Sequence, residues 1–362
     1  MNPSPRYDTL PRVHGARRRA WAKKGGSIRT ARRGVRIALA VAGVALLTAC
    51  SSAAAGRGRA VVPTTLDPTS PSSSSPSPSP VTTTPRPRPS PTVTKPKPRP
   101  QRQLPRGGRT IFPRYRVVAY YGAAGIPILG VLGTADPDTI AAQVSARAAQ
   151  YASAGRTVLP AFELITTMAQ PCRADFPLCT SAISPQTVQA YLDAAHRHRM
   201  MLILDIQPGR GEFLPQVQAL RPFLSDPNVG IALDPEWKLA PYQFPIESIG
   251  SSSAASINAV AAYLSGIVQA ENLPDKLLLV HQFVRSELPD RQNIKVYPRV
   301  ETLLHADGFG SPGAKVGVYQ QLAFPSPPYR VGFKLFFTRD TALMVPANVM
   351  SLRPQPDLVS YQ

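Results

Sequence analysis

The segment Leu233-Asp234-Pro235-Glu236-Trp237 carries the residue types best suited to chemistry in this chain. Residues two apart on a strand face the same way, with a rise of about 6.6 Å between them. A strand running through this segment would therefore aim Asp234 and Glu236 at one cavity. Pro235 cannot donate to a sheet ladder, so it reads as the strand's end. A carboxylate beside a glutamate opposes its ionisation, and a glutamate kept protonated near neutral pH is a general acid. Trp237 would add an apolar wall on which a sugar ring can lie. Glu163 in AFELI and Asp205 in LDIQPGR end two other apolar runs. Buried charge is costly without partners. Four carboxylates at the ends of apolar runs therefore mark a site, and Glu236, Asp234, Asp205 and Glu163 form the candidate catalytic set.

The residues that would bind substrate around them are Tyr121, Gln207, Trp237, His281, Gln282, Asp307, Lys334 and Tyr361. Asp307 shares a strand face with His305. Two histidines with Glu163, Asp205 or Asp307 are also a donor set for a divalent ion. Metal-dependent hydrolysis is thus a further reading, while the main one assigns no cofactor and no metal. A serine hydrolase is disfavoured, because the chain has no Gly-x-Ser-x-Gly elbow.

The elements that must position these side chains alternate in type. Apolar runs of strand length occur at 117–121, 157–164, 201–206, 229–236, 276–283, 301–307, 332–337 and 357–362. Near-continuous apolar runs suit strands buried on both faces of a parallel sheet. Between them lie helical patterns at 136–153, 184–199, 212–224, 253–271 and 312–322, with two shorter helices less defined. Asp136-Pro137, Ser184-Pro185 and Ser311-Pro312 give a capping residue followed by a first-turn proline. Eight β-then-α units over residues 109–362 predict a (β/α)8 TIM barrel, whose chemistry sits at the C-terminal strand ends. The last strand has no helix after it, so residues 109–116 are expected to cover that gap. An open doubly wound sheet is the alternative, but no Gly-rich phosphate loop follows an early strand.

With the barrel plan and the Asp-x-Glu in place, the chain resembles the (β/α)8 glycosidases. An Asp-x-Glu at the end of strand four is similar to that of the family 25 lysozymes and the family 18 chitinases. The resemblance implies Glu236 as proton donor and Asp234 as its assistant. It covers only the barrel plan and this short motif. The chain departs from the lysozyme pattern at Tyr120-Tyr121-Gly122, where that family has an aspartate. It departs from the chitinase pattern at Ala232 and at the closing Tyr361-Gln362. As a whole the domain resembles exported actinobacterial proteins with DIQPGR, LDPEW and HADGFG segments, a group that implies no particular reaction.

The first hundred residues speak to location. A basic leader precedes Ile37–Cys50, IALAVAGVALLTAC, too short a run to span a bilayer, which takes about 20 residues. This is the build of a secretory signal. Leu47-Thr48-Ala49-Cys50 resembles a bacterial lipobox, which implies a signal peptide over 1–49 and a lipid on Cys50. Residues 50–108 read as a disordered linker rich in Pro, Ser and Thr, with 14 prolines between Pro63 and Pro105. Such a chain favours extended polyproline II and acts as a spacer. Of the +20 net charge, 20 Lys and Arg stand against two acids before Arg109, while the rest holds 21 against 19. The basic excess therefore belongs to leader and linker, and no nucleic-acid partner is expected. An anionic membrane or acidic wall polymer is the better match. Cys172 and Cys179, the only cysteines after Cys50, read as a disulfide in an exported chain. The expectation is a monomer, lipid-anchored on the outer face of the cell membrane. It would act on a cell-wall glycan as a glycosidase, or bind such a glycan or a protein partner without catalysis.

Overall fold

The computed structural model describes residues 101–152, 156–323 and 329–362. The leader, Cys50 and the linker up to residue 100 lie outside the described residues, as do the expectations placed on them.

Nine strands form in chain order: β1 (Tyr115–Gly122), β2 (Thr157–Ala169), β3 (Thr180–Ala182), β4 (Met201–Ile206), β5 (Val229–Leu233), β6 (Lys276–Gln282), β7 (Val300–Ala306), β8 (Arg330–Leu335) and β9 (Leu358–Tyr361). Eight of them are parallel neighbours in the order β1-β9-β8-β7-β6-β5-β4-β2, and a β1–β2 pairing closes the ring. β3 was not expected. It runs antiparallel to the end of β2, which extends five residues past the apolar run seen in the sequence.

The helices are α1 (Pro137–Ala149), α2 (Pro185–Arg197), α3 (Phe213–Ala219), α4 (Arg221–Leu224), α5 (Ala254–Glu271), α6 (Pro312–Ala323) and α7 (Pro346–Met350). Asp136, Ser184 and Ser253 cap α1, α2 and α5 by accepting a backbone N–H three residues on. The pattern at 212–224 splits at Leu220, because Pro222 cannot supply the N–H that a continuous helix needs there. Only 3-10 turns join β6 to β7. The fold is the (β/α)8 barrel expected. No helix among the described residues is long and apolar enough to cross a membrane.

Strand alternation divides the core in two. Outward residues such as Phe162, Leu204, Ile231, Val280 and Leu304 pack against the helices. Inward residues near the strand starts, including Val117, Leu159, Met201, Leu277, Leu303 and Leu358, fill the barrel's lower half. Residues 109–116 do not cover the missing eighth helix. Ile111 and Phe112, with Leu104, enter this lower core and plug the barrel's N-terminal end. Ile111 N–H donates to Asp275 there, and Arg109 reaches the carbonyls of Asn272 and Leu273. The outer face of β9 is instead sheltered by the end of the α1 segment, where Tyr151 and Tyr361 hydrogen-bond through their hydroxyls.

Candidate active site

Above the apolar lower core, every barrel strand ends in a polar residue, and these residues form one cluster. Tyr121 (β1), Glu163 (β2), Asp205 (β4), Asp234 (after β5), His281 (β6), His305 (β7), Lys334 (β8) and Ser360 (β9) are all buried. The Tyr121 hydroxyl donates to Asp205 Oδ2 at 3.0 Å, and Gln207 Nε2 donates to the Tyr121 oxygen at 3.3 Å. His281 is flanked by two carboxylates, with Nδ1 2.9 Å from Asp307 Oδ2 and Nε2 2.9 Å from Glu163 Oε1. His305 lies beside it, its ring centroid 5.1 Å away, with Nε2 3.2 Å from Ser360 Oγ. Lys334 Nζ donates to Asp307 Oδ2 at 2.9 Å and lies 3.7 Å from the centroid of the Tyr121 ring.

The Asp-x-Glu motif reaches this cluster by a different route from the one expected. β5 stops at Leu233, and Asp234 starts a 3-10 turn over Pro235–Trp237. Asp234 N–H still donates to the Ile206 carbonyl, and Pro235 then ends the ladder for want of an N–H. The turn is fastened by Gly250, whose N–H donates to the Glu236 carbonyl at 2.6 Å. A Cβ at Gly250 would meet the Lys238 and Glu236 carbonyl oxygens within 2.6 Å, so only glycine allows this approach. Asp234 is therefore buried, while Glu236 and Trp237 are half-buried at the rim.

The electrostatics of the mouth separate its carboxyls. Burial opposes ionisation of Asp307, but Lys334 and His281 outweigh it and hold Asp307 well below the usual carboxylate range. Burial likewise opposes ionisation of Glu163, and His281, His305 and Lys334 bring it below its ordinary value. Burial pushes Asp205 up to about 6, with Glu163 adding to the rise and His281 opposing it. Asp234 is raised well above its ordinary value by burial, reinforced by Asp205, Glu236 and Asp307. Glu236 is pushed up to about 7, first by burial and then by Asp307. Asp307 is the charge that adds most to the rise on Glu236, while Asp234 is itself raised in part by Glu236. Burial and Lys334 oppose a charge on His281, yet Asp307 and Glu163 keep it protonated well above the histidine norm. Burial drops His305 to about 3, leaving it neutral.

Most of the expected site residues come together: Tyr121, Glu163, Asp205, Gln207, Asp234, Glu236, His281, Asp307 and Lys334. Two do not. Gln282 faces away from the cluster, because His281 before it faces inward. Its amide donates to the Val284 carbonyl and its oxygen faces Arg291. Tyr361 also faces outward, packed with Tyr120, Tyr151 and Phe337. Its neighbour Ser360 takes the inward place instead.

Residues missed in the sequence complete the surroundings. Phe309 is exposed after β7 and meets Phe336 after β8 edge to face, at 6.0 Å between centroids. Arg339 lies over Phe309, and Phe336 lies over Lys334. Asp340 pins both loops, accepting from Gly310 and Phe336 N–H groups while paired with buried Lys315. Glu287 is buried and accepts from Phe283 N–H. Burial, with some help from Asp234 and Glu236, pushes it up to about 9. Strand parity would have found Ser360. Nothing local marks Glu287 or the Phe309–Phe336 pair, which only loop packing creates.

The disulfide expected between Cys172 and Cys179 is present, in the connection between β2 and β3. It frames the loop that leads to Thr180, whose hydroxyl donates to the Gln207 carbonyl at 2.7 Å. Gly209 approaches this loop so closely that a Cβ would stand 2.1 Å from the Leu178 carbonyl oxygen.

The arrangement offers a half-buried carboxyl that can hold a proton, an ionised carboxylate held by two cations, and an aromatic pair. In comparison with known proteins, no protein-family model matches this chain and no curated protein matches it at a significant level.

Proposed function

We propose that this protein hydrolyses glycosidic bonds in a cell-envelope glycan, working from a lipid-anchored position outside the membrane. The observation that carries the reading is Glu236. It is the carboxyl of the mouth cluster that is half-buried rather than buried, and burial with Asp307 nearby pushes it up to about 7. A carboxyl with that affinity can hold a proton at neutral pH and release it to a leaving-group oxygen. Asp307, kept ionised by Lys334 and His281, is the opposite number, since acid and base roles follow from environments that push two carboxyls apart. It faces the positive charge that develops on a sugar ring as the glycosidic bond breaks. Exposed Phe309, backed by buried Phe336, and half-buried Trp237 supply apolar surface near the rim for a sugar face. Asp234 is a buried protonated neighbour of Glu236, and Glu163 and Asp205 form the floor. The leader and lipobox-like segment support the location, and the proline-rich linker supports reach into the wall.

The test is incubation of the full chain, released from membranes, with cell-wall fractions, reading liberated reducing ends. Glu236→Gln should lower turnover by at least a hundredfold while glycan binding persists. Equal turnover in this variant would overturn the assignment of Glu236. A barrel that binds without catalysis is the second reading. It is favoured by the complete burial of Glu163 and Asp205, which leaves only the upper carboxyls near solvent. Glycan binding with no reducing ends released by the unaltered protein would select it.

A further inference from the structure

The floor of the mouth holds a convergence that the reaction above leaves unused. Glu163, His281 and His305 bring donor atoms to within 4.8 Å of one another. Glu163 Oε1 is 2.9 Å from His281 Nε2 and 4.0 Å from His305 Nδ1. Asp205 Oδ1 lies 3.8 Å from His281 Nε2. All four side chains are buried, Glu163, Asp205 and His305 completely. Both oxygens of Glu163, Oδ1 of Asp205, Nε2 of His281 and Nδ1 of His305 have no hydrogen-bond partner. The close Glu163–His281 approach is out of line for an N–H···O bond. Buried polar atoms are nearly always paired, and an orphan costs about 1–3 kcal/mol. Four of them, Glu163 Oε1, Asp205 Oδ1, His281 Nε2 and His305 Nδ1, lie beside one another and call for a common partner.

The other side of each ligand is already fixed. His281 donates from Nδ1 to Asp307, whose carboxylate is held in turn by Lys334 and the Gly308 N–H. This leaves Nε2 facing Glu163 and Asp205. His305 pairs Nε2 with Ser360 Oγ, leaving Nδ1 facing Glu163. Asp205 accepts from Tyr121 on Oδ2, leaving Oδ1 inward. A histidine tied at its far nitrogen to a carboxylate or hydroxyl is how proteins orient an imidazole toward a metal.

From this geometry we infer a divalent transition-metal site on the floor of the barrel, with Glu163, His281 and His305 as ligands and Asp205 beside them. Around a tetrahedral ion with bonds of about 2.0–2.2 Å, neighbouring donors stand about 3.3 Å apart. The observed separations of 2.9 to 4.0 Å bracket that value. Two imidazoles with carboxylates favour zinc, manganese or iron over calcium and magnesium, which prefer all-oxygen sites. The ion takes the place of the proton that His281 otherwise carries between its two carboxylates. The site stands apart from the role of Glu236, and Glu236→Gln should leave it intact.

The test uses the full chain stripped with a chelator, and Zn²⁺, Mn²⁺ and Mg²⁺ as separate probes in titration calorimetry. The expected result is one equivalent of Zn²⁺ or Mn²⁺ bound, a higher melting temperature with the ion, and no such response to Mg²⁺. His14, His196 and His198 are the remaining histidines, so H14A/H196A/H198A leaves only the proposed pair and should bind unchanged. Glu163→Gln should weaken binding at least tenfold. Ser360→Ala keeps every ligand but frees His305, and should weaken it about 10–100-fold, which keeps the test sharp if Glu163→Gln misfolds. Absence of stoichiometric binding to the unaltered chain would overturn the site. So would loss of binding in H14A/H196A/H198A, or wild-type affinity in Ser360→Ala together with a folded Glu163→Gln.

Discussion

Lys334 donates to Asp307 at 2.9 Å, and the pair is buried at the barrel mouth. The contact joins the end of β8 to the residue that follows β7, and it is the charge that keeps Asp307 ionised. Breaking a buried pair costs up to about 3–5 kcal/mol when one charge is left alone, and less here because His281 still faces Asp307. Lys334→Met should therefore lower stability by part of that amount, read as a shift in the urea midpoint. If the pair also serves the reaction, turnover should fall at least a hundredfold. A variant with unchanged stability would show that His281 and the Gly308 N–H suffice to compensate Asp307.

The pH dependence of turnover should follow Glu236. A general acid works only while protonated, so activity should be full on the acid side and decline as pH rises through about 7. The linkage to stability has the same direction. Between its ordinary value of 4.5 and about 7, the folded state holds a proton that the unfolded chain releases, so this group's contribution to stability fades as pH rises across that window. A pH–rate profile of kcat with no alkaline limb between pH 6 and 8 would count against Glu236 as the acid.

Removing the disulfide should loosen one wall of the site. C172S/C179S opens a loop with a sequence separation of seven residues, and the loss should be at most about 3 kcal/mol. The effect should extend to Gln207, because Thr180 beyond the bridge holds the Gln207 carbonyl and Gln207 supports the Tyr121 hydroxyl. Hydrogen exchange should show faster opening at residues 170–182 and 207–211. An unchanged exchange pattern at 207–211 would confine the bridge's effect to its own loop.

The lipid anchor proposed at Cys50 has a direct test. Cys50→Ala should release the protein into the medium or leave it unprocessed, as seen by fractionation and by its mass. Normal processing with full membrane retention in this variant would exclude the lipid anchor.

The eight strands and the barrel were legible in the sequence because parallel strands buried on both faces leave long apolar runs, interrupted where each strand meets the mouth. Glu163, Asp205 and Lys334 were visible for the same reason, as polar residues closing apolar runs. The signals at Asp136, Ser184 and Ser311 marked helix starts, since capping is a local bond within four residues. The tertiary structure alone decided the rest. It turned Asp234–Glu236 from a strand into a 3-10 turn, because Pro235 and the close approach of Gly250 bend the chain there. It placed Gln282 and Tyr361 outside the mouth and Ser360 inside, because barrel closure fixes which parity of each strand faces inward. It brought Asp307 as well as Asp234 to bear on the charges around Glu236, and set His281 between carboxylates from β2 and the β7 loop. Those pairings join residues far apart in the chain through register and strand tilt, which no local pattern of residues encodes.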